Sequence, residues 1–178
     1  KPEFLENDDS KKANVYAFIY EIGRAAKKNQ ITVVGNGSAC VVGGHSYIIK
    51  KGQRFISNSA VASMGYDLPG AIGAYIANMD GGRYENELIL ITGDGSIQMN
   101  LQELQTIVHH KMNIKIFLIN NEGYHSIRQT QSKFFADDGL VGIGPDSGDL
   151  SFPDMGKIAA AYGIKYIGAD TNSKLNEA

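Results

Sequence analysis

Apolar positions along the chain change period several times, and the changes mark out alternating helices and strands. Val15, Phe18, Ile19, Ile22 and Ala26 recur at helical spacing, so residues 11–29 read as an amphipathic helix. The polar stretch before it, residues 1–10 (KPEFLENDDS), reads as a linker. Ile31 to Val34 is a β-branched run closed by Gly35-Asn36-Gly37, a strand entering a turn. A second strand is expected over Arg54 to Ser57. Leu68 to Met79 follows as a helix, with Pro69 tolerated in its first turn and small residues, Gly70, Ala71, Gly73 and Ala74, that allow close packing.

The strongest strand signal is Leu88-Ile89-Leu90-Ile91-Thr92, a continuous apolar run suited to the centre of a parallel sheet. It runs into Gly93-Asp94-Gly95-Ser96, and a helix is expected from Ile97 to His110. Ile114 to Ile119 is another buried strand, ending in Asn120-Asn121. A short helix near 124–133, a glycine-rich loop over 136–150, a helix from Pro153 to Tyr162 and a strand from Ile164 to Ile167 complete the pattern. This alternation predicts an α/β fold, a mostly parallel sheet with helices on both faces. Ligands of such sheets bind at the carboxyl ends of the strands, where the glycine turns of this chain lie.

Composition narrows the partners. At 178 residues, 43% of them apolar, the chain suffices for one well-filled domain. A net charge of −2 argues against nucleic acid, which selects a basic face, but not against a small phosphorylated ligand held by backbone N–H groups. No apolar run is long enough to span a membrane, and the N-terminus does not read as a signal peptide. The lone cysteine, Cys40, fits a reducing compartment, so a cytoplasmic protein is expected. Cys40 reads as a small packed side chain rather than a nucleophile, since no base pairs with it. His109 and His110 are adjacent on a helix, a poor arrangement for a shared metal.

Chemistry concentrates between Gly93 and Asn121. Asp94 sits between two glycines at a strand's carboxyl end, and Ser96 opens the next helix. Gly95 lets backbone approach a bulky anion, and a helix start offers free N–H groups. A bare phosphate would be repelled by Asp94 unless a cation stood between them. That conflict points to Mg2+ or Ca2+, hard ions that bridge carboxylate and phosphate oxygens. The following strand ends at the same edge in Asn120-Asn121, where one amide oxygen can join the metal shell. A dinucleotide-binding turn fits less well, because G-N-G-S-A-C and G-D-G-S-I-Q both lack the third glycine.

Gly93-Asp94-Gly95-Ser96 followed on the next strand by Asn120-Asn121 resembles the signature of the thiamine diphosphate-dependent enzymes, the family that includes acetolactate synthase, pyruvate decarboxylase and benzaldehyde lyase. The helix between them, I-Q-M-N-L-Q-E-L-Q-T-I-V, is similar to that of acetolactate synthase large subunits in their C-terminal cofactor-binding domain. The resemblance implies Mg2+ bound by Asp94 and Asn121 side chains and the Gly123 carbonyl, with Gly93, Gly95 and Ser96 beside the diphosphate. A second segment, S-M-G-Y-D-L-P-G-A-I-G-A from Ser63 to Ala74, resembles the family's M-G-x-x-L-P-x-A-I-G-A. By that likeness Met64 props thiamine diphosphate in a bent conformation, and the Met64 N–H and Ala62 carbonyl hold its aminopyrimidine. A third, Gly35-Asn36-Gly37-Ser38, lies where the family binds diphosphate. His125 and Ser126, after the metal loop, fall where family members line the cofactor and substrate pocket.

The likeness runs from about residue 11 to the chain's end. It implies decarboxylation of a 2-oxo acid and transfer of the acyl unit to a carbonyl acceptor, with the cofactor as electron sink. It also implies a partner: the activating glutamate belongs to a pyrimidine-binding domain of a neighbouring subunit in a homo-oligomer. No segment here resembles that domain, so the chain is expected to be a fragment truncated at both ends, with residues 11–178 forming the cofactor-binding domain. One stretch, Y-H-S-I-R-Q-T-Q-S-K-F-F, departs from acetolactate synthases. Thr130 stands where their tryptophan helps to choose the second substrate, and this chain has no tryptophan.

Overall fold

The structure is a computed structural model that describes residues 3–6, 10–82, 84–85, 87–135 and 139–176. Its centre is a parallel four-stranded sheet of β1 (Ile31–Val34), β2 (Arg54–Ser57), β3 (Leu88–Gly93) and β4 (Ile114–Ile119), in the order β2-β1-β3-β4. Seven α-helices are described: α1 (Val15–Ala25), α2 (Ser38–Ser46), α3 (Asp67–Gly81), α4 (Asp94–Ile97), α5 (Glu103–His109), α6 (His125–Phe134) and α7 (Met155–Ala161).

Strand alternation divides the core in two. Ile31 pairs in register with Leu88 and Val33 with Leu90, and all four side chains face Leu68 and Ala71 of α3, Ile97 of α4, Leu104 and Ile107 of α5, and Met155 of α7. The intervening residues Val34, Ile89 and Ile91 turn to the other face, against Ile19 and Ile22 of α1 and Ala39 and Val42 of α2. Because β1 and β3 are covered on both sides, they read in sequence as unbroken apolar runs. One polar side chain in β1, Thr32, is fully buried, and its hydroxyl is paired with Tyr47 Oη at 2.8 Å.

Several boundaries differ from those the periodicity suggests. α1 begins at Val15 because Asn14 caps it, its Oδ1 accepting the Tyr16 N–H at 2.8 Å, and it ends at Ala25, beyond which the Gln30 side chain takes up the Lys27 N–H. The helix expected from Ile97 starts three residues earlier, directly on β3. It tightens into a 3-10 turn over Gln98–Asn100 before α5, and the Asn100 amide donates out of that turn to the Gly65 carbonyl. α2 was not expected at all, since S-A-C-V-V-G-G-H-S carries no helical stripe; packing against β1, β3 and α1 holds it.

The strand expected over Ile164 to Ile167 is absent. Gly163, at φ +69°, ends α7, and the Ile164 N–H then caps the helix by donating to the Ala159 carbonyl at 2.8 Å. Ile164 packs on the core while Tyr166 and Ile167 are exposed, and the segment pairs with none of the described strands. Of the linker region, residues 1–2 and 7–9 lie outside the described residues, as do 136–138 of the glycine-rich loop and 177–178 at the end. Glu3–Leu5 forms a 3-10 turn, with the Phe4 ring 6.0 Å from Tyr16 and 6.1 Å from Tyr20 of α1. Among the described residues no helix is long and apolar enough to cross a membrane.

Candidate functional site

With all four strands parallel, their carboxyl ends share one edge, and the turns leaving β1, β3 and β4 meet there. They enclose a cleft of about 110 Å³ lined by Asn36, Gly37 and Ser38 after β1, Gly93 to Ser96 after β3, Asn121 to Ile127 after β4 except Glu122, Ile119, and Met64 from the loop before α3. Of the fourteen site residues expected from sequence, twelve line this cleft (Asn36, Gly37, Ser38, Met64, Gly93, Asp94, Gly95, Ser96, Asn121, Gly123, His125 and Ser126). The two others sit just behind it. Gly35 is buried at the end of β1, its N–H donating to the Ile91 carbonyl, and the Ala62 carbonyl accepts the Asn36 amide at 3.1 Å. Asn120 is exposed and outside the cleft.

Asp94 is the electrostatic centre. It is 2% exposed, yet none of the partners it shows is a cation. Its Oδ1 accepts the Gly95 N–H at 2.8 Å and its Oδ2 accepts the Gly123 N–H at 3.2 Å. Burial pushes the carboxyl above the ordinary range, while the N–H groups of Gly123, Gly95, Glu122 and Asn121 pull it back. A bound cation would favour the ionised form that burial disfavours.

The loop that carries Asn121 and Gly123 is held from below. Gly123 has φ +148°, and a Cβ there would come 2.1 Å from the Ile143 carbonyl oxygen, so only glycine fits. The Tyr124 N–H donates to that same carbonyl at 2.9 Å. Arg128 of α6 reaches back, its Nη2 donating to the Glu122 carbonyl at 3.2 Å. Its Nε lies 3.2 Å from Asp146 Oδ2, a charge contact without the alignment of a hydrogen bond.

The donor set suits a hard cation. A buried carboxylate, the half-buried Asn121 amide and the Gly123 carbonyl, which also accepts the His125 N–H at 3.1 Å, all carry oxygen donors. Among the described residues no three His, Cys, Asp or Glu side chains lie close enough to hold a metal alone. A cation at Asp94 would need its remaining oxygens from elsewhere than a cluster of such side chains. Ser38 at the start of α2 adds a further helix N-terminus to those of α4 and α6 at the cleft, and its first-turn N–H groups have no partner within the helix.

Three lining residues escaped the sequence reading: Ile119, Tyr124 and Ile127. So did Asp67, completely buried directly behind the cleft, where its carboxylate accepts the Thr92 and Ser96 hydroxyls. The signal for it was an acidic residue inside the otherwise apolar G-Y-D-L-P.

Comparison with known proteins agrees with this geometry. Residues 35–178 match the family described as thiamine pyrophosphate enzyme, C-terminal TPP binding domain. The acetolactate synthase large subunit of Cyanidium caldarium is 43% identical over 123 residues, 68% of this chain and 19% of that protein. The chloroplastic acetolactate synthase of Arabidopsis thaliana is 36% identical over 134 residues, 74% of this chain and 19% of that one. The large subunit of acetolactate synthase isozyme 1 from Escherichia coli is 29% identical over 150 residues, 84% of this chain and 25% of that one. The matched part is thus a quarter or less of each relative's length.

Proposed function

The chain belongs to the thiamine pyrophosphate enzymes, as their C-terminal TPP binding domain, and on that premise we propose that its cleft holds thiamine diphosphate through Mg2+. The observation that carries this reading is the meeting of the turns after β1, β3 and β4 around the buried Asp94 carboxyl, which accepts the backbone N–H groups of Gly95 and Gly123. Asp94, Asn121 and the Gly123 carbonyl ligate the metal. The backbone of Gly93, Gly95 and Ser96 and the turn Asn36-Gly37-Ser38 receive the diphosphate, with Gly35 behind them at the end of β1. Met64, with the Ala62 carbonyl behind it, supports the rest of the cofactor, and His125 and Ser126 stand at the substrate side on the first turn of α6.

When bound, the cofactor supplies the electron sink for decarboxylation of a 2-oxo acid and transfer of the acyl unit to a carbonyl acceptor. This chain's residues orient the cofactor and neutralise its diphosphate. An enclosing pocket for a ligand of this size occupies about 300–1,000 Å³, and the cleft of about 110 Å³ is open. That supports a site completed by the pyrimidine-binding domain of a neighbouring subunit in a homo-oligomer, while the lone Cys40 supports a reducing compartment such as the cytoplasm. The second reading is another thiamine-dependent decarboxylase or lyase, favoured by Thr130 in place of tryptophan. Titration calorimetry of the full-length protein with thiamine diphosphate, with and without Mg2+, tests the binding reading, and absence of Mg2+-dependent binding overturns it. Product analysis with pyruvate alone and with an added aldehyde separates carboligation from simple decarboxylation.

A further inference from the structure

Asp67 is the most deeply buried carboxyl among the described residues, at 0% exposure, and no metal or substrate role accounts for it. Both of its hydroxyl partners belong to the segment around the Gly93-Asp94 turn, and it packs against Gly35 at the start of the turn after β1. Oδ2 accepts the hydroxyl of Thr92, the residue before the Gly93-Asp94 turn. Oδ1 accepts the Ser96 hydroxyl at 2.9 Å, and Ser96 Oγ in turn accepts the Gly65 N–H, next to Met64, at 3.1 Å. Against the carboxyl lies Gly35, where a Cβ would stand 2.5 Å from Asp67 Cγ. Burying a carboxyl without a cation is costly, so a site that retains one uses its geometry.

The consequence concerns Ser96. Its hydroxyl is turned inward to Asp67 and Gly65, which leaves only its backbone N–H for an anion in the cleft. The metal turn has separate ties of its own: the Gly95 and Gly123 N–H groups on Asp94, and the Gln98 amide on the Asp94 carbonyl at 2.8 Å. The network through Asp67 therefore joins the diphosphate end of the cleft to its Met64 end, beside a second tie from the Asn100 amide to the Gly65 carbonyl at 2.6 Å.

We propose that Asp67 is a positioning residue that sets the spacing between the Gly93–Ser96 turn and the Met64–Gly65 segment, and with it the fit of a ligand long enough to touch both. This rests on the cofactor reading above. A short ligand that fills only the metal end is indifferent to that spacing, whereas one that spans both ends is not. Asn is the conservative replacement, because its amide can accept from one hydroxyl and donate to the other; Ala can do neither.

The test is titration calorimetry of the full-length protein, as wild type, Asp67→Ala and Asp67→Asn, with Mg2+-pyrophosphate and with Mg2+-thiamine diphosphate. Asp67→Ala is expected to weaken thiamine diphosphate about tenfold while changing pyrophosphate by less than about threefold, and Asp67→Asn to restore most of the loss. Equal weakening of both ligands by Asp67→Ala, no weakening of either, or failure of Asn to rescue overturns the positioning role. If Asp67→Ala does not fold, Asp67→Asn must bind both ligands within about threefold of wild type, and a greater loss for pyrophosphate overturns the proposal. Wild-type protein that binds neither ligand overturns the cofactor reading, and this inference with it.

Discussion

Asp94 Oδ2 accepts the Gly123 N–H at 3.2 Å, a bond between residues 29 apart in sequence that fastens the turn after β3 to the loop after β4. Two of the three groups proposed to bind one cation are thereby joined before any cation arrives. The metal then needs little loop ordering on binding, and the backbone N–H leaves the carboxylate oxygen a further lone pair for it.

Asp94→Ala should remove Mg2+-dependent thiamine diphosphate binding in the full-length protein, weakening it by more than about 100-fold, because a hard-cation site loses its only charged protein ligand. The fold should persist, since relief of the buried carboxyl offsets the Gly95 and Gly123 N–H groups left without their acceptor. Calorimetry on a variant with native circular dichroism is the check; unchanged affinity removes Asp94 from the metal shell.

Met64→Ala should slow turnover about tenfold and weaken cofactor affinity less than about threefold, since the binding strength lies at the diphosphate end and Met64 acts on orientation. Steady-state rates at saturating cofactor, set beside the calorimetric Kd, separate the two effects. If neither moves, Met64 is only packing.

Gly123→Ala should destabilise the chain by about 2–4 kcal/mol, because it combines a strained φ with a Cβ driven into the Ile143 carbonyl. Urea denaturation measures it. A shift near zero would mean that the loop after β4 relocates freely, and metal binding should then be lost without loss of fold.

The Asp67 carboxyl titrates above its ordinary value because burial outweighs the hydrogen bonds from Thr92 and Ser96. Between the unfolded carboxyl's pKa and this raised folded value, the native state holds the extra proton. Stability attributable to Asp67 is therefore present at low pH and is lost as pH rises through that window. The stability of wild type minus that of Asp67→Asn should fall with rising pH and then level off. A difference that rises with pH contradicts a raised native pKa.

If the site is completed by a partner domain as proposed, the purified 178-residue chain should fold but not decarboxylate pyruvate, since its open cleft does not exclude water. Carbon dioxide release above the level of the Asp94→Ala control would mean that a second activating carboxylate exists within it.

Local pattern was enough to identify the central strands and the turn that carries Asp94. Leu88 to Thr92 is apolar at every position but the last because both faces of the sheet are covered, and such a run has few other uses. Asp94 between two glycines at the end of that run was legible for the same reason, since a carboxylate placed where backbone must stay open is a chemical statement in itself. The S-M-G-Y-D-L-P and N-N segments added the family, and Met64 of the one and Asn121 of the other do meet in one cleft.

Tertiary structure decided what periodicity does not encode. α2 has two glycines and no apolar stripe, and it is helical because β1, β3 and α1 bury Ala39 and Val42. Ile164 to Ile167 carries a strand-like composition, yet its first N–H is taken by the α7 cap and it has no strand to pair with. Asp67 could not be interpreted from sequence, because its meaning lies in Thr92, Ser96 and Gly35, residues 25, 29 and 32 positions away. A strand's composition follows from what covers it, so burial can be read locally. The role of a buried polar group depends on partners that only the fold brings within hydrogen-bonding distance.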